Sequence, residues 1–326
     1  MAPAPPSSPA RLARPLSALY PAPAHTYSPH VPTTAAHGLR LRLGAGLPVI
    51  FDGGLTSELQ KLGFVPPLPL GSGAALREMP HEIAAIHRRY VAAGVHIIRA
   101  NTARTTPRVL RKVGYEYRAA ALTNRAVDLA LDAVQEVHGS IAVAGVMFPL
   151  EGREDPDLTP PDSVLHEEHG EQAQRLLAAG CDALYLESMP TMREAVAATA
   201  AAVRVGLPTF TSFAVSPDQR LISGDDLSLA ARAVRAAGAD VVCVNGGVSL
   251  GDTERAAGVV AQSGVPWGCL PDLPARVRAD KLVALALKLA GRGASVFGGC
   301  CGVSPEDLAA VVEALVPRLE GRESVV

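Results

Sequence analysis

Lysine is scarce in this chain of 326 residues: Lys61, Lys112, Lys281 and Lys288 are the only four. None of them closes a strand-forming run, where a Schiff-base aldolase needs its nucleophilic amine, so that chemistry is excluded. No acidic residue stands before Asp52, and residues 1–32 are instead rich in Pro, Ala and Ser. Such a segment buries too little apolar surface to offset its ordering entropy, and it lacks the continuous apolar stretch of a secretory signal. Residues 1–45 are therefore expected to form a disordered tail, 46–320 one folded unit and 321–326 a short C-terminal tail. No apolar run reaches membrane-spanning length. A concentrated basic stretch is also missing, and 30 Lys+Arg against 32 Asp+Glu leave a formal charge of −2. Neither a nucleic acid nor a membrane is an expected partner. Five cysteines, an odd number in a chain this long, do not make a disulfide framework. The expectation is a reduced, cytoplasmic protein, and nothing in the sequence fixes its oligomeric state.

What is present is alternation. Short β-rich runs at 49–52, 96–101, 141–146, 183–187, 209–213, 241–245, 266–270 and 294–297 alternate with helical patterns near 80–93, 117–137, 163–179, 190–204, 226–237, 252–263, 277–291 and 305–318. Ala-Ala-Gly recurs before three of the strands, at Gly94, Gly180 and Gly238, where glycine takes the left-handed conformation that stops a helix. Ser304-Pro305-Glu306-Asp307 reads as a cap, a proline at the first helical position and acids at the positive end of the dipole. Eight alternations in roughly 270 residues predict an α/β fold of the closed (β/α)8 kind, a TIM barrel. An open doubly wound sheet would carry a glycine-rich phosphate turn after its first strand, and Asp52-Gly53-Gly54 lacks that spacing.

Active sites of such barrels lie at the carboxyl ends of the strands. Those ends read Asp52-Gly53-Gly54, Asn101-Thr102, Pro149, Glu187-Ser188, Ser212, Asn245-Gly246-Gly247, Pro271-Asp272 and Gly298-Gly299-Cys300-Cys301-Gly302. Acids, amides, glycines and thiols collect at one rim. Two adjacent thiols on a glycine-flanked loop can turn toward one metal, and Zn2+ takes thiolates at about 2.3 Å with a position left open in catalytic sites.

These residues resemble the homocysteine S-methyltransferase family. Asp52-Gly53-Gly54 with Glu58-Leu59 is similar to its opening signature, as is Ala93-Gly94 leading into Ala100-Asn101-Thr102. Leu186-Glu187-Ser188-Met189-Pro190 resembles its fourth-strand Glu-Thr motif with Ser for Thr, and Phe210 to Phe213 followed by Gly224 matches its fifth-strand pattern. Gly298 to Pro305 resembles its zinc motif nearly residue for residue, and the likeness runs unbroken from about 49 to 315. The resemblance implies a zinc-dependent enzyme that transfers a methyl group to the thiolate of homocysteine, giving methionine. It implies that Cys300 and Cys301 hold zinc and that Glu187 grips the substrate's amino group. Asp52, Gly53, Gly54, Glu58, Asn101, Thr102, Ser212 and Asn245 are expected around the substrates. The length, without the extensions of folate- and betaine-dependent relatives, favours S-methylmethionine or S-adenosylmethionine as donor.

Two positions depart from the family pattern. Gly246 stands where the third zinc cysteine is expected. Cys243 lies three residues upstream, about 10 Å down the strand, and its odd offset predicts a place between barrel and helices. Cys181 precedes its strand, at the wrong end. Two substitutes remain open: Cys269 by its chemistry, and Asp272, where the family usually has Asn, by its height. Gly71-Ser72 replaces the family's Trp-Ser, which implies a more open or differently shaped donor pocket. Two alternatives follow from the missing cysteine: a relative acting on another small amino acid or thiol, or a non-catalytic binding barrel.

Overall fold

A computed structural model describes residues 33–135, 141–246, 249–274 and 279–320. The β-rich runs become eight parallel strands: β1 Val49–Ile50, β2 Ile97–Ala100, β3 Ala142–Met147, β4 Ala183–Met189, β5 Thr209–Phe213, β6 Val241–Asn245, β7 Trp267–Leu270 and β8 Val296–Phe297. Each pairs with its sequence neighbour from β2 to β8, and β8 returns to β1 through Val49↔Val296 and Ile50↔Phe297. A parallel bridge between Phe51 and Ile97, with Asp52 N donating to Ile97 O at 3.0 Å, closes the ring between β1 and β2. This is the predicted (β/α)8 barrel. The eight predicted helices are present, from Pro80–Ala92 to Pro305–Glu320. Ser304 and Asp307 cap the last one reciprocally, side chain to backbone in both directions.

Strand alternation sorts the core into two layers. Val49, Phe51, Ile97, Ala144, Tyr185, Phe210, Val241, Cys243, Leu270 and Val296 fill the barrel interior. Phe51 packs tilted on Tyr185 and edge-on to Phe210, with centroids 5.1 and 5.0 Å apart. Ile50, Ile98, Val143, Leu184, Val242, Val244, Cys269 and Phe297 face outward and meet the helices.

The Ala-Ala-Gly turns behave as expected, with Gly94, Gly180 and Gly238 at φ 84°, 94° and 105°. Two residues beyond each glycine, a polar side chain takes a backbone N–H from the strand alongside. His96 Nδ1 accepts from Ile50 N, Asp182 from Val143 N and Asp240 from Thr209 N. The same turn thus also sets strand register.

One expectation fails here. Residues 33–44, placed in a disordered tail, form the helix Thr34–Gly44, capped by Thr33, whose Oγ1 accepts from Ala36 N and donates to Asp182. Leu39 and Leu43 join the interior cluster, and Arg40 reaches Gly206 O and Asp240 at the amino-terminal side of β5 and β6. The stretch is free of proline, and its leucines cover the apolar floor of the barrel, which is what orders it. The expectations for 1–32 and 321–326 lie outside the described residues.

Candidate metal and substrate site

The carboxyl ends of the strands open on a cleft of about 400 Å³, lined by Asp52, Gly53, Gly54, Asn101, Glu187, Cys300 and Cys301 among others. The thiol pair stands on the loop after β8, which leaves no room for a side chain at Gly299. A Cβ at Gly299 would fall 2.3 Å from Val303 Cβ. The β1 loop closes against it: at Gly53 a Cβ would lie 2.3 Å from Val303 O, and at Gly54 2.7 Å from Cys300 O. These glycines bring the two loops together.

Cys300 is partly buried and Cys301 exposed. Their sulfurs and a carboxylate oxygen of Asp272 all lie within 4.8 Å of one another. The Asp272 Oδ1 accepts the Cys301 backbone N–H at 3.0 Å, which locks the β7 and β8 loops together. Gly246 explains the aspartate: a Cβ there would point at Asp272, 2.9 Å from Oδ1. The carboxylate occupies the direction in which a side chain at 246 would project. The hydrogen bond between the sulfurs pushes the Cys300 thiol well up, reinforced by burial and by Glu187, and draws Cys301 down.

The other thiols stand apart. Cys269 faces the helices, 3 % exposed, with its strand neighbour Leu270 turned inward, so it does not join the cluster. Cys243 lies inside the barrel rather than between barrel and helices. The parity count fails because β6 ends at Asn245 and Gly246 turns to φ 50°, so alternation cannot be carried through it. Burial pushes both thiols up.

Beneath the pair lies a buried ionic knot centred on Arg99, which the strand-end pattern misses. Its Nε donates to Asp52 Oδ1 at 2.6 Å, and its backbone N–H to Oδ2 at 3.0 Å. One terminal nitrogen donates to the carbonyls of Asp52, Gly53 and Gly299 at 3.0, 2.8 and 2.6 Å, and the other lies 3.5 Å from Glu187. Burial pushes the Asp52 carboxyl up, with the guanidinium opposing it. The knot ties the β1 loop to the thiol loop and holds Glu187, whose Oε1 is 3.7 Å from Cys300 Sγ. The signal available in sequence was a lone charge at an inward position of an apolar strand.

Behind Glu187, β4 bulges between Leu186 and Met189, and Ser188 adopts φ 58°. Such strain persists where surrounding structure demands it. Ser188, Ser212 and Asn245 form one network, with Asn245 Nδ2 to Ser188 Oγ at 2.8 Å and Ser212 Oγ to Asn245 Oδ1 at 2.9 Å. Asn245 also reaches Cys300 Sγ at 4.0 Å. Ser212 and Asn245 therefore lie beneath the cleft rather than lining it. Asn101 lines it and exchanges hydrogen bonds with Ser72 at 2.8 Å.

Two further expected site residues do not line the cleft. Glu58 is 2 % exposed and paired with Lys61 and Arg89 at 2.5 and 2.9 Å. Thr102 is fully buried, and its hydroxyl closes both the N–H and the carbonyl of Val146 on β3. Missed by sequence reasoning, besides Arg99, are Arg104, Phe148 and Arg153 on the loops after β2 and β3.

A family model described as homocysteine S-methyltransferase matches residues 49–315. Homocysteine S-methyltransferase 1 of Zea mays is 27 % identical over 84 % of this chain and 96 % of its own length. Betaine–homocysteine S-methyltransferase 1 of Bos taurus is 26 % identical over 86 % of this chain and 75 % of its own. The metallated form of the homocysteine methyltransferase MmuM from Escherichia coli shares the fold with a TM-score of 0.74 at 24 % identity, covering 84 % of this chain and 98 % of that one. With its barrel, its paired thiols after the eighth strand and a match over most of its length, this chain belongs to the homocysteine S-methyltransferase family.

Proposed function

We propose that the protein is a zinc-dependent methyltransferase that carries a methyl group from a sulfonium donor, S-methylmethionine or S-adenosylmethionine, to homocysteine, giving methionine. The observation that carries this reading is the cluster of Cys300, Cys301 and Asp272 beside Glu187 at the cleft floor. Thiolates and a carboxylate are all zinc ligands, and three protein donors leave a fourth position open, so the donor set fits the ion. When bound there, zinc supplies a Lewis-acid centre that keeps the homocysteine sulfur as thiolate at neutral pH.

The remaining work falls to the chain. Glu187 takes the substrate's ammonium, and Arg99 fixes that carboxylate from below. Asn245 steadies Cys300 through its amide. In the transfer, the acceptor sulfur forms a bond to the methyl carbon as the donor's carbon–sulfur bond breaks, its electron pair returning to the donor sulfur. No proton moves in that step, so the site needs alignment rather than a general base. All five thiols are free, which supports a reducing, cytoplasmic setting. Among the described residues no helix is long and apolar enough to cross a membrane.

The test is transfer of labelled methyl from each donor to homocysteine by zinc-supplemented protein. Turnover in the wild type and its loss, together with zinc, in Cys300→Ala is expected. A folded, zinc-loaded protein that transfers nothing from either donor sinks the reading.

A further inference from the structure

The cleft is unevenly charged. Glu187, Asp272 and the two sulfurs gather at its floor, whereas Arg104 and Arg153 stand in its wall. Arg104 is half-buried, and its stem runs past two glycines: a Cβ at Gly73 would lie 3.2 Å from its Cβ, and one at Gly71 3.9 Å from its Cγ. Its guanidinium sits 4.7 Å from the ring centroid of Phe148. Among the described residues it has neither an ion pair nor a hydrogen bond. Burial holds it below the ordinary arginine value. Arg153 has one ion pair, 3.5 Å to the adjacent and largely exposed Glu154.

A guanidinium drawn out of water with its N–H groups unclaimed is costly unless an anion meets it. Its planar fork matches a carboxylate in a way that a lysine does not. We propose that Arg104, with Arg153 contributing from the next loop, forms a carboxylate subsite in the cleft wall that binds the carboxylate of an amino-acid substrate. The subsite orients a zwitterion, with its cationic end toward the acidic floor and its carboxylate toward the wall. It rests on the methyl-transfer reading only for the choice of ligands probed.

Calorimetric binding to the zinc-loaded protein tests it in two arms. One compares S-methylmethionine with trimethylsulfonium, which has no carboxylate. The other compares homocysteine with 3-aminopropanethiol, its counterpart without a carboxylate. In at least one arm the carboxylate-bearing ligand is expected to bind about tenfold or more tightly than its counterpart. Arg104→Gln then erases that preference, Arg153→Gln reduces it, and Arg104→Lys retains part of it. The exposed Arg232→Gln, which changes net charge equally, keeps it in full. The arm that responds identifies the donor or the acceptor as the source. Preferences unchanged in both arginine-to-glutamine variants overturn the subsite, as does the absence of any preference in the wild type. Because binding is read without turnover, loss of methyl transfer alone leaves the subsite standing. An active enzyme whose arginine variants keep both preferences removes the subsite and spares the reaction.

Discussion

His87 lies in the helix Pro80–Ala92 with no exposure, and neither ring nitrogen has a partner among the described residues. Burial, with Arg99 adding its charge, lowers its pKa to about 4. The neutral ring is therefore favoured in the folded state, while the unfolded chain takes up a proton near pH 6.5. Stability attributable to His87 is complete above pH 6.5 and is lost as pH falls from there toward 4, roughly 2 kcal/mol by pH 5. His87→Phe removes that slope, so its denaturation midpoint is expected to fall less than the wild type's between pH 7.5 and 5. Equal falls in the two proteins contradict this assignment. The same neighbourhood shows how polar residues divide at the rim. Glu187 and Asn101 face the cleft, whereas Thr102 and Glu58 spend their polar atoms on neighbouring backbone and on surface cations. A strand-end position alone does not separate the two roles, because small hydroxyls and carboxylates are equally good caps.

At the scale of elements, the helix Thr34–Gly44 covers the barrel floor opposite the cleft, with Leu39 4 % exposed within the interior cluster. Leu39→Ala is expected to cost about 2–4 kcal/mol by denaturant titration and to leave substrate KM unchanged. A stability equal to wild type contradicts the role of that helix as a floor. This helix was hidden in the sequence because it adjoins a long proline-rich stretch. The strands and the eight long helices were legible from periodicity, since each covers enough residues to show its repeat. Leu55–Lys61, Ala75–Glu78 and Pro107–Arg111 were not, being one or two turns inserted in the loops on the cleft side. Their placement is what brings Ser72 to Asn101 and Arg104 to the cleft, so the wall of the site was less legible than its floor. Parity along β6 failed for a related reason: a glycine with positive φ ends the alternation that the count assumed.

Taken as a whole, the molecule separates its tasks by the two ends of the barrel, as the fold does generally. The helix Thr34–Gly44 covers one end and the ionic knot of Asp52, Arg99 and Glu187 underlies the thiols at the other, with the packed rings of Phe51, Tyr185 and Phe210 in the interior between them. The thiol pair was legible from sequence, but the choice between Cys269 and Asp272 required the inward and outward sorting of β7 and the direction of Gly246. The account depends on Cys300, Cys301 and Asp272 holding one zinc ion with a place free for a substrate thiol. X-ray absorption at the zinc edge of the loaded protein measures this directly. Two sulfur neighbours at about 2.3 Å with oxygen at about 2.0–2.2 Å are predicted, and a third sulfur on adding homocysteine. A folded protein that takes up no zinc, or a zinc ion with three sulfurs before homocysteine is added, contradicts it.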